Sequence, residues 1–336
     1  MRAPIEAHVA VTARCPVQCD TCYLDARPDG PDTDAAALDA DLVALAEAGT
    51  LEVALGGGDH GPWTRRVALG RRIRALGPVP NLTTSGFGLD DDAAAAMAGT
   101  FGQVNVSIDG LGAAYRAVRG FDGARVALAA IDRLVAAGVR VGANTVLTRD
   151  NVAELEALGD VLAERGVSEW QWLRLKPAGR GRDGYGDKRL DAEQLRALWP
   201  RTLAIEARTG LAMRWDCAMV PFLAEHDVPV EALRRLGVVG CPGGHSLLAR
   251  TAEGAWAPCS FAHSAADSGD LQEVWRGGAA LRAWRDRAAA PPEPCASCPY
   301  RDVCRGGCRI VAGHAGDPLA ADPECPRVRA MTVKTC

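Results

Sequence analysis

The stretch Cys15-Pro-Val-Gln-Cys19-Asp-Thr-Cys22-Tyr23 sets three thiols on one short segment at CX3CX2C spacing. Zinc takes four ligands and usually joins one closely spaced pair to another, so three thiols alone leave such a site incomplete. Three thiolates suit a [4Fe-4S] cube, in which they hold three irons and leave the fourth open. A thioredoxin-like role for Cys19-Asp-Thr-Cys22 needs only two of them and leaves Cys15 unexplained. A second concentration lies near the other end, Cys295-X2-Cys298-X5-Cys304-X3-Cys308. Alone, those four thiols read as a compact zinc site. Cys241, Cys259 and Cys325 frame them, Cys217 stands in RWDCAMVPF, and Cys336 ends the chain as a free thiol.

The rest of the composition narrows the setting. The 336 residues are 48% hydrophobic with a net charge of -4, enough apolar material for a large domain plus a smaller one. There is no global basic footprint for nucleic acid, and no apolar run approaches the eighteen residues or so of a membrane span. The start, MRAPIEAHVAV, lacks the features of a signal peptide, so a reducing cytoplasm is expected, where clustered thiols bind metal more often than they pair.

The elements that must position these residues follow a βα alternation from residue 7 to about 177, the pattern of a parallel sheet. Six strands are predicted, at 8–13, 51–57, 80–86, 103–109, 140–148 and 169–177, with helices such as 32–49 and 122–138, the latter closing on Gly138. A closed eight-unit barrel needs about 250 residues, so the fold class is α/β with a partial (β/α)6 TIM-like barrel. Ligand sites in such folds lie beyond the carboxyl ends of the strands. There the sequence gathers the first cysteine run, Gly56-Gly57-Gly58-Asp59, Thr83-Thr84-Ser85-Gly86 and Ser107-Ile108-Asp109-Gly110. Glycine-rich turns can simply end strands; four at one rim read as a ligand site.

A CX3CX2C run followed by an aromatic residue, after the first strand of a partial barrel, resembles the radical S-adenosylmethionine (radical SAM) superfamily. The resemblance implies that Cys15, Cys19 and Cys22 hold a [4Fe-4S] cluster whose open iron binds S-adenosylmethionine. Reductive cleavage of that cofactor gives a 5'-deoxyadenosyl radical that removes a substrate hydrogen atom. Gly56, Gly57, Gly58 and Asp59 are similar to the family's GGE segment at the methionyl amine, with Asp59 where Glu is usual. Ser85, Ser107 and Asn144 fall where the family contacts the methionyl or ribose groups, and Tyr23 where it borders the adenine; strand-end capping is the plainer role for the first three.

The spacing Cys241-X12-Gly254-X4-Cys259, Cys295-X2-Cys298-X5-Cys304-X3-Cys308 and then Cys325 resembles the SPASM extension of that superfamily, a small loop-rich iron-sulfur domain. The implied layout is a barrel over 1–190, a helical bridge over 191–238 and the SPASM domain over 239–336, with three [4Fe-4S] clusters in all. Cys295, Cys298, Cys304 and Cys325 would hold the outer auxiliary cluster, and Cys241, Cys259 and Cys308 the inner one. Cys217 is the candidate for the fourth inner ligand; otherwise it is a buried thiol and that iron is open. The Gly- and Arg-rich loop 178–189 could meet phosphate or an acidic substrate, or be a solvated loop.

By this resemblance the chain oxidatively modifies a ribosomally made peptide. The alternative is dehydrogenation, epimerisation or decarboxylation of a sugar, aminocyclitol or tetrapyrrole. A non-catalytic iron-sulfur or zinc scaffold is a third class. Sulfatase-maturing members place an acid directly after the cysteine matching Cys259; Ser260 stands here, which disfavours simple alcohol or thiol oxidation. The first strand begins near residue 8, leaving no room for an N-terminal leader-binding domain of about 80 residues. A separate leader-binding protein and an external donor of flavodoxin or ferredoxin type are therefore the expected partners, without nucleic acid or membrane. His60, His245, His263 and His314 are acid-base candidates by residue type, and surface or supporting histidines by the plainer reading.

Overall fold

The computed structural model describes residues 3–59, 62–235 and 238–334, so His60 and Cys336 lie outside the described residues. The six predicted strands form as β1 (Glu6–Ala10), β2 (Glu52–Gly56), β3 (Val79–Thr84), β4 (Gln103–Ser107), β5 (Val141–Leu147) and β6 (Glu169–Arg174), paired in sequence order and all parallel. Helices α1 (Ala35–Ala48), α2 (Trp63–Leu76), α3 (Asp91–Met97), α4 (Ala113–Arg119), α5 (Ala124–Ala136) and α6 (Leu155–Glu164) make the crossovers. Their ends are written locally. The Asp34 carboxylate accepts from Ala37 N at 2.8 Å and that of Asp90 from Ala93 N at 2.8 Å, each satisfying an amide left open at a helix start.

The sheet continues past the six units on both sides. Strand β7 (Ala212–Trp215) joins β6, β8 (Leu247–Arg250) joins β1, and β9 (Trp256–Ala257) folds back antiparallel on β8. The segment 191–238, expected to be helical, therefore carries a strand. It also holds the long helix Ala192–Thr209, which opens on a capping box of Asp191 and Gln194. Four residues, Ala-Met-Arg-Trp, are too few for alternation to announce a strand; pairing with β6 decides it. Likewise β8 comes from the cysteine-rich part yet lies in the barrel sheet.

Alternation assigns the two faces. Val104, Val106, Trp170 and Trp172 are fully buried under the helices, each such side chain contributing about 1.5–3 kcal/mol. The opposite face carries Glu6, His8, Asn81, Gln103, Asn105, Ser107 and Gln171, half-buried in the barrel lumen. Gln103 donates to Asn105 at 2.8 Å and to Glu169 at 3.3 Å, and its own N–H reaches Asn81 Oδ1 at 3.0 Å. That face is thus polar and hydrogen-bonded. No helix among the described residues is long and apolar enough to cross a membrane.

Candidate functional site

The three N-terminal thiols stand on the loop leaving β1, and backbone contact holds that loop from two sides. Gly58 N donates to Thr12 O at 2.7 Å and Val11 N to Gly56 O at 3.0 Å. A methyl on Gly57 would lie 2.7 Å from Thr12 O, and one on Gly58 would overlap Arg14 O. The glycines are there because two backbones meet. On the other side the 178–189 segment is packed rather than solvated at its start. Arg180 N donates to Cys22 O at 2.9 Å, and Arg180 Nε to Cys19 O at 2.9 Å. Its Nη1 reaches Asp25 Oδ1 at 2.7 Å and Ala26 O at 3.1 Å. The Gly-Arg run therefore clamps the cysteine loop, a role its composition did not disclose.

Electrostatics around Cys19 favour a thiolate only in part. Burial raises its pKa, and Arg119, which donates to Sγ at 3.3 Å, works against that. Arg119 is itself anchored on the fully buried Asp109. At the rim Asp59 is taken up by its neighbours. Its carboxylate accepts from Ser85 N at 2.7 Å, from the hydroxyls of Thr84 and Ser85, and pairs with Arg66 at 3.1 Å. Asp59 and Ser85 thus come together, and the shorter acid braces β3 against the glycine turn. Ser107 and Asn144 are register partners on β4 and β5. Asn144 is 9% exposed and its Oδ1 has no hydrogen-bond partner among the described residues. An unpaired acceptor in a buried site is costly unless a ligand's donor meets it. Tyr23 packs on Phe261 at 4.5 Å and on His263 at 6.1 Å between ring centroids.

Two groups of neighbouring thiols stand out among the later cysteines, one by mutual electrostatic influence and one by a shared cavity. Burial first, then Asp216 and Cys241, push the Cys217 thiol far up, with Cys308 adding to it. Burial together with Cys241 and Cys308 does the same at Cys259, and burial raises Cys308 to about 11 against the pull of Lys176 and Arg174. The other set is Cys295, Cys298, Cys304 and Cys325, which line one cavity with Tyr300, Gly306 and Gly307. There burial and then Cys325, with Cys295, raise Cys304. All eleven described cysteines are free thiols. Buried thiols that repel one another are stable as thiolates only around cations, so both sets fit iron-sulfur ligation. Cys308 packs with Leu175, Ala218 and Val311, whereas Cys298 and Cys304 pack against Val220, Leu223 and Val303. The run Cys295–Cys308 is therefore not one knot. Among the described residues no three or more His, Cys, Asp or Glu side chains gather closely enough for a single metal ion.

Lys176 is a site residue the sequence did not flag. It is buried beside Cys217 and Cys308, ion-paired with Asp216, and 4.3 Å over the Phe261 ring. Burial opposes its charge, but Asp216 and the two thiols keep its pKa above the ordinary lysine value. Of the histidines, the His245 pKa falls to about 4 through burial and Arg305, Arg309 and Arg285. His314 packs edge-on to Tyr185. Neither one faces the rim thiols through any hydrogen bond described.

A partial barrel with this cysteine loop on its first strand defines the class. Residues 9–162 match the family model of the Radical SAM superfamily. It is 30% identical over 255 residues to the mycofactocin maturase MftC of Mycobacterium tuberculosis, covering 72% of this chain and 62% of that protein. The chain therefore spans less than two-thirds of that relative. It is 29% identical to the PqqA peptide cyclase of Ruegeria pomeroyi, over 97% of this chain and 88% of the cyclase. At the same 29%, over 96% and 86%, it matches the pre-heme d1 synthase of Dinoroseobacter shibae. Streptococcus suis SuiB bound to its precursor peptide SuiA shares the fold, with TM-score 0.79 and 18% identity over 97% of this chain and 76% of that one.

The clamp can be tested by itself. Arg180→Ala removes three hydrogen bonds donated by a charged group, to Cys19 O, Ala26 O and Asp25, worth about 1.5–3 kcal/mol each. The reconstituted variant is expected to lose iron to a chelator several-fold faster than the wild type. Equal rates would show that the loop holds its shape without Arg180.

Proposed function

We propose that the chain oxidatively modifies a ribosomally made peptide by radical SAM chemistry, using one S-adenosylmethionine-binding [4Fe-4S] cluster and two auxiliary ones. The observation that carries the reading is a triplet of thiols on the loop after β1 with two further groups of neighbouring, mostly half-buried thiols, in a chain similar over 97% of its length to a peptide cyclase. Cys15, Cys19 and Cys22 would hold the first cluster. Cys217, Cys241, Cys259 and Cys308 would hold the inner auxiliary cluster, and Cys295, Cys298, Cys304 and Cys325 the outer. Bound there, the first cluster and S-adenosylmethionine supply a 5'-deoxyadenosyl radical that takes a hydrogen atom from the substrate.

The chain's own residues prepare that reaction. Asn144 Oδ1 offers an acceptor to a cofactor amine or hydroxyl, with Ser107 beside it, and Tyr23 with Phe261 and His263 forms an aromatic wall. Gly57 and Gly58 let the turn close on the backbone of the cysteine loop, Gly56 leaves open space toward a cofactor, and Asp59 holds the rim through Ser85 and Arg66. Lys176 places a buried positive charge beside Cys217 and Cys308, which would favour the reduced state of a cluster held there. An external low-potential donor of flavodoxin or ferredoxin type and a separate leader-binding protein complete the system, in the cytoplasm. The similarity to pre-heme d1 synthase keeps a tetrapyrrole or other small molecule as the second reading.

The test is anaerobic reconstitution followed by reaction with S-adenosylmethionine, dithionite and, if a short reading frame lies beside the gene, the peptide it encodes. A mass change in that peptide is expected; cleavage of the cofactor with no change would favour a small-molecule substrate. Iron is expected near twelve per chain. A value near four would leave only the first cluster. Cys15→Ala is expected to abolish cofactor cleavage, whereas Cys295→Ala lowers peptide turnover more than cleavage; equal loss of cleavage would assign the outer quartet a folding role.

A further inference from the structure

Strand β1 carries a chain of side chains that neither the cysteine loop nor the rim uses. His8 lies mid-strand, and its register partners are Ala54 of β2 and Ala249 of β8. Two alanines leave the ring open, and the His8 side chain keeps 37% of its exposure. Glu6, two residues earlier and so on the same face, has Oε1 2.8 Å from His8 Nε2. On the other side His8 Nδ1 stands 2.8 Å from Ser260 Oγ.

The chemistry of these contacts is directional. The Glu6 carboxyl is held below its ordinary range, first by its hydrogen bond to His8 and then, against burial, by the charges of His8 and Arg214. An ionised carboxylate only accepts, so in the neutral form of the ring the proton belongs on Nε2 facing Glu6, and the Nδ1 lone pair faces the Ser260 hydroxyl. Ser260 is fixed in turn by its neighbours in sequence. Cys259 belongs to the inner quartet, while Phe261 packs on Tyr23, which follows Cys22. The hydroxyl therefore stands on a segment that joins the first cysteine loop to the inner quartet.

We propose that Ser260 and His8 form the path by which a proton leaves the substrate, with Glu6 as the positioning residue. The inference rests on the radical SAM reading above. In that reading the substrate C–H bond breaks and its hydrogen atom forms a C–H bond on 5'-deoxyadenosine. The radical left behind must lose one more electron and one proton to become closed-shell. An iron-sulfur centre held by Cys217, Cys241, Cys259 and Cys308 would accept the electron. The proton passes from the substrate to Ser260 Oγ as the Oγ proton moves to His8 Nδ1, and the substrate closes a new bond with the electron pair released. His8 ends as an imidazolium facing the Glu6 carboxylate and then gives its proton to solvent.

Two measurements decide it. In oxidised holoenzyme labelled with ¹⁵N-histidine, the His8 ring, assigned by its disappearance in His8→Gln, is expected as the Nε2–H tautomer with a bare Nδ1 whose resonance moves in Ser260→Ala. A ring carrying both protons at the working pH, or a protonated Nδ1, would overturn the proposal. In turnover with S-adenosylmethionine, dithionite and the gene-adjacent peptide, His8→Ala is expected to form 5'-deoxyadenosine near the wild-type rate but to lower the ratio of modified peptide to 5'-deoxyadenosine at least tenfold. Added imidazole, entering the space between Ala54 and Ala249, should restore part of that ratio. Glu6→Gln should lower it less, and Ser260→Ala should lower it without imidazole rescue. An unchanged ratio in His8→Ala and Ser260→Ala rejects the path, whereas a wild type that makes no 5'-deoxyadenosine rejects the underlying reading. Should His8→Ala fail to hold iron, Ser260→Ala and the tautomer carry the decision.

Discussion

Arg174→Met is expected to destabilise the protein by about 3–5 kcal/mol, the cost of leaving buried charge without its partner. Arg174 ends β6 with its guanidinium between two acids of the C-terminal segment, Asp322 at 2.6 Å and Glu324 at 2.9 Å. All three side chains are at most 8% exposed. Burial works against the charge on Arg174, yet the two acids hold its pKa well above the ordinary guanidinium value. Methionine fills the space but leaves the carboxylates to Arg189 and the Tyr185 hydroxyl, both on Glu324. Asp322 also accepts from Cys308 N at 2.9 Å and precedes Cys325 by three residues, so both quartets should loosen. Anaerobic urea denaturation measures the loss, with Arg72→Met in an exposed pair with Asp39 as the control that should move little. Similar midpoints for the two variants would mean that the acids find water or other partners.

The second large effect is expected at Gly58. A β-carbon there overlaps Arg14 O, which is backbone and cannot rotate away. The turn cannot retreat either, because Asp59 is tied to Thr84, Ser85 and Arg66. The loop with Cys15 must shift, and a displacement of about 1 Å at a reacting centre can lower a rate about 100-fold. Gly58→Ala should therefore reduce formation of 5'-deoxyadenosine by about two orders of magnitude while the iron of the two quartets is kept. Gly56→Ala, whose added methyl meets nothing within 4 Å, should keep the wild-type iron content. Wild-type cleavage by Gly58→Ala would show that the loop tolerates the shift.

What could be read from the sequence depended on how local the signal is. β1 to β6 were legible because each apolar run alternates with a helix long enough to cross over; β1 itself lies at 6–10, short of the predicted 8–13, since the residues after Ala10 already belong to the cysteine loop. Strands β7, β8 and β9 have two to four residues each and exist because a neighbour pairs with them, which no local pattern records. The thiol groups are assigned by resemblance, through their spacings. Arg180, Lys176 and His8 were not legible, because each acts through partners more than 35 residues away: Arg180 through Cys19, Lys176 through Asp216 and His8 through Ser260. His8 in particular reads as one polar residue of an alternating strand until Ser260 arrives from the far end of the chain.

The pairing of β8 with β1 bears on how such proteins can be recombined. β1 takes its hydrogen-bonding partner on one side from residues 247–250, so exchanging the cysteine-rich part for that of a relative also exchanges a strand of the barrel sheet. A junction placed after β9 keeps the sheet intact but divides the inner quartet, as Cys241 stays behind while Cys259 and Cys308 leave. Swapped chimeras should therefore succeed only when the donor matches both the strand register at His8 and the thiol geometry, which makes the two halves a single inherited unit.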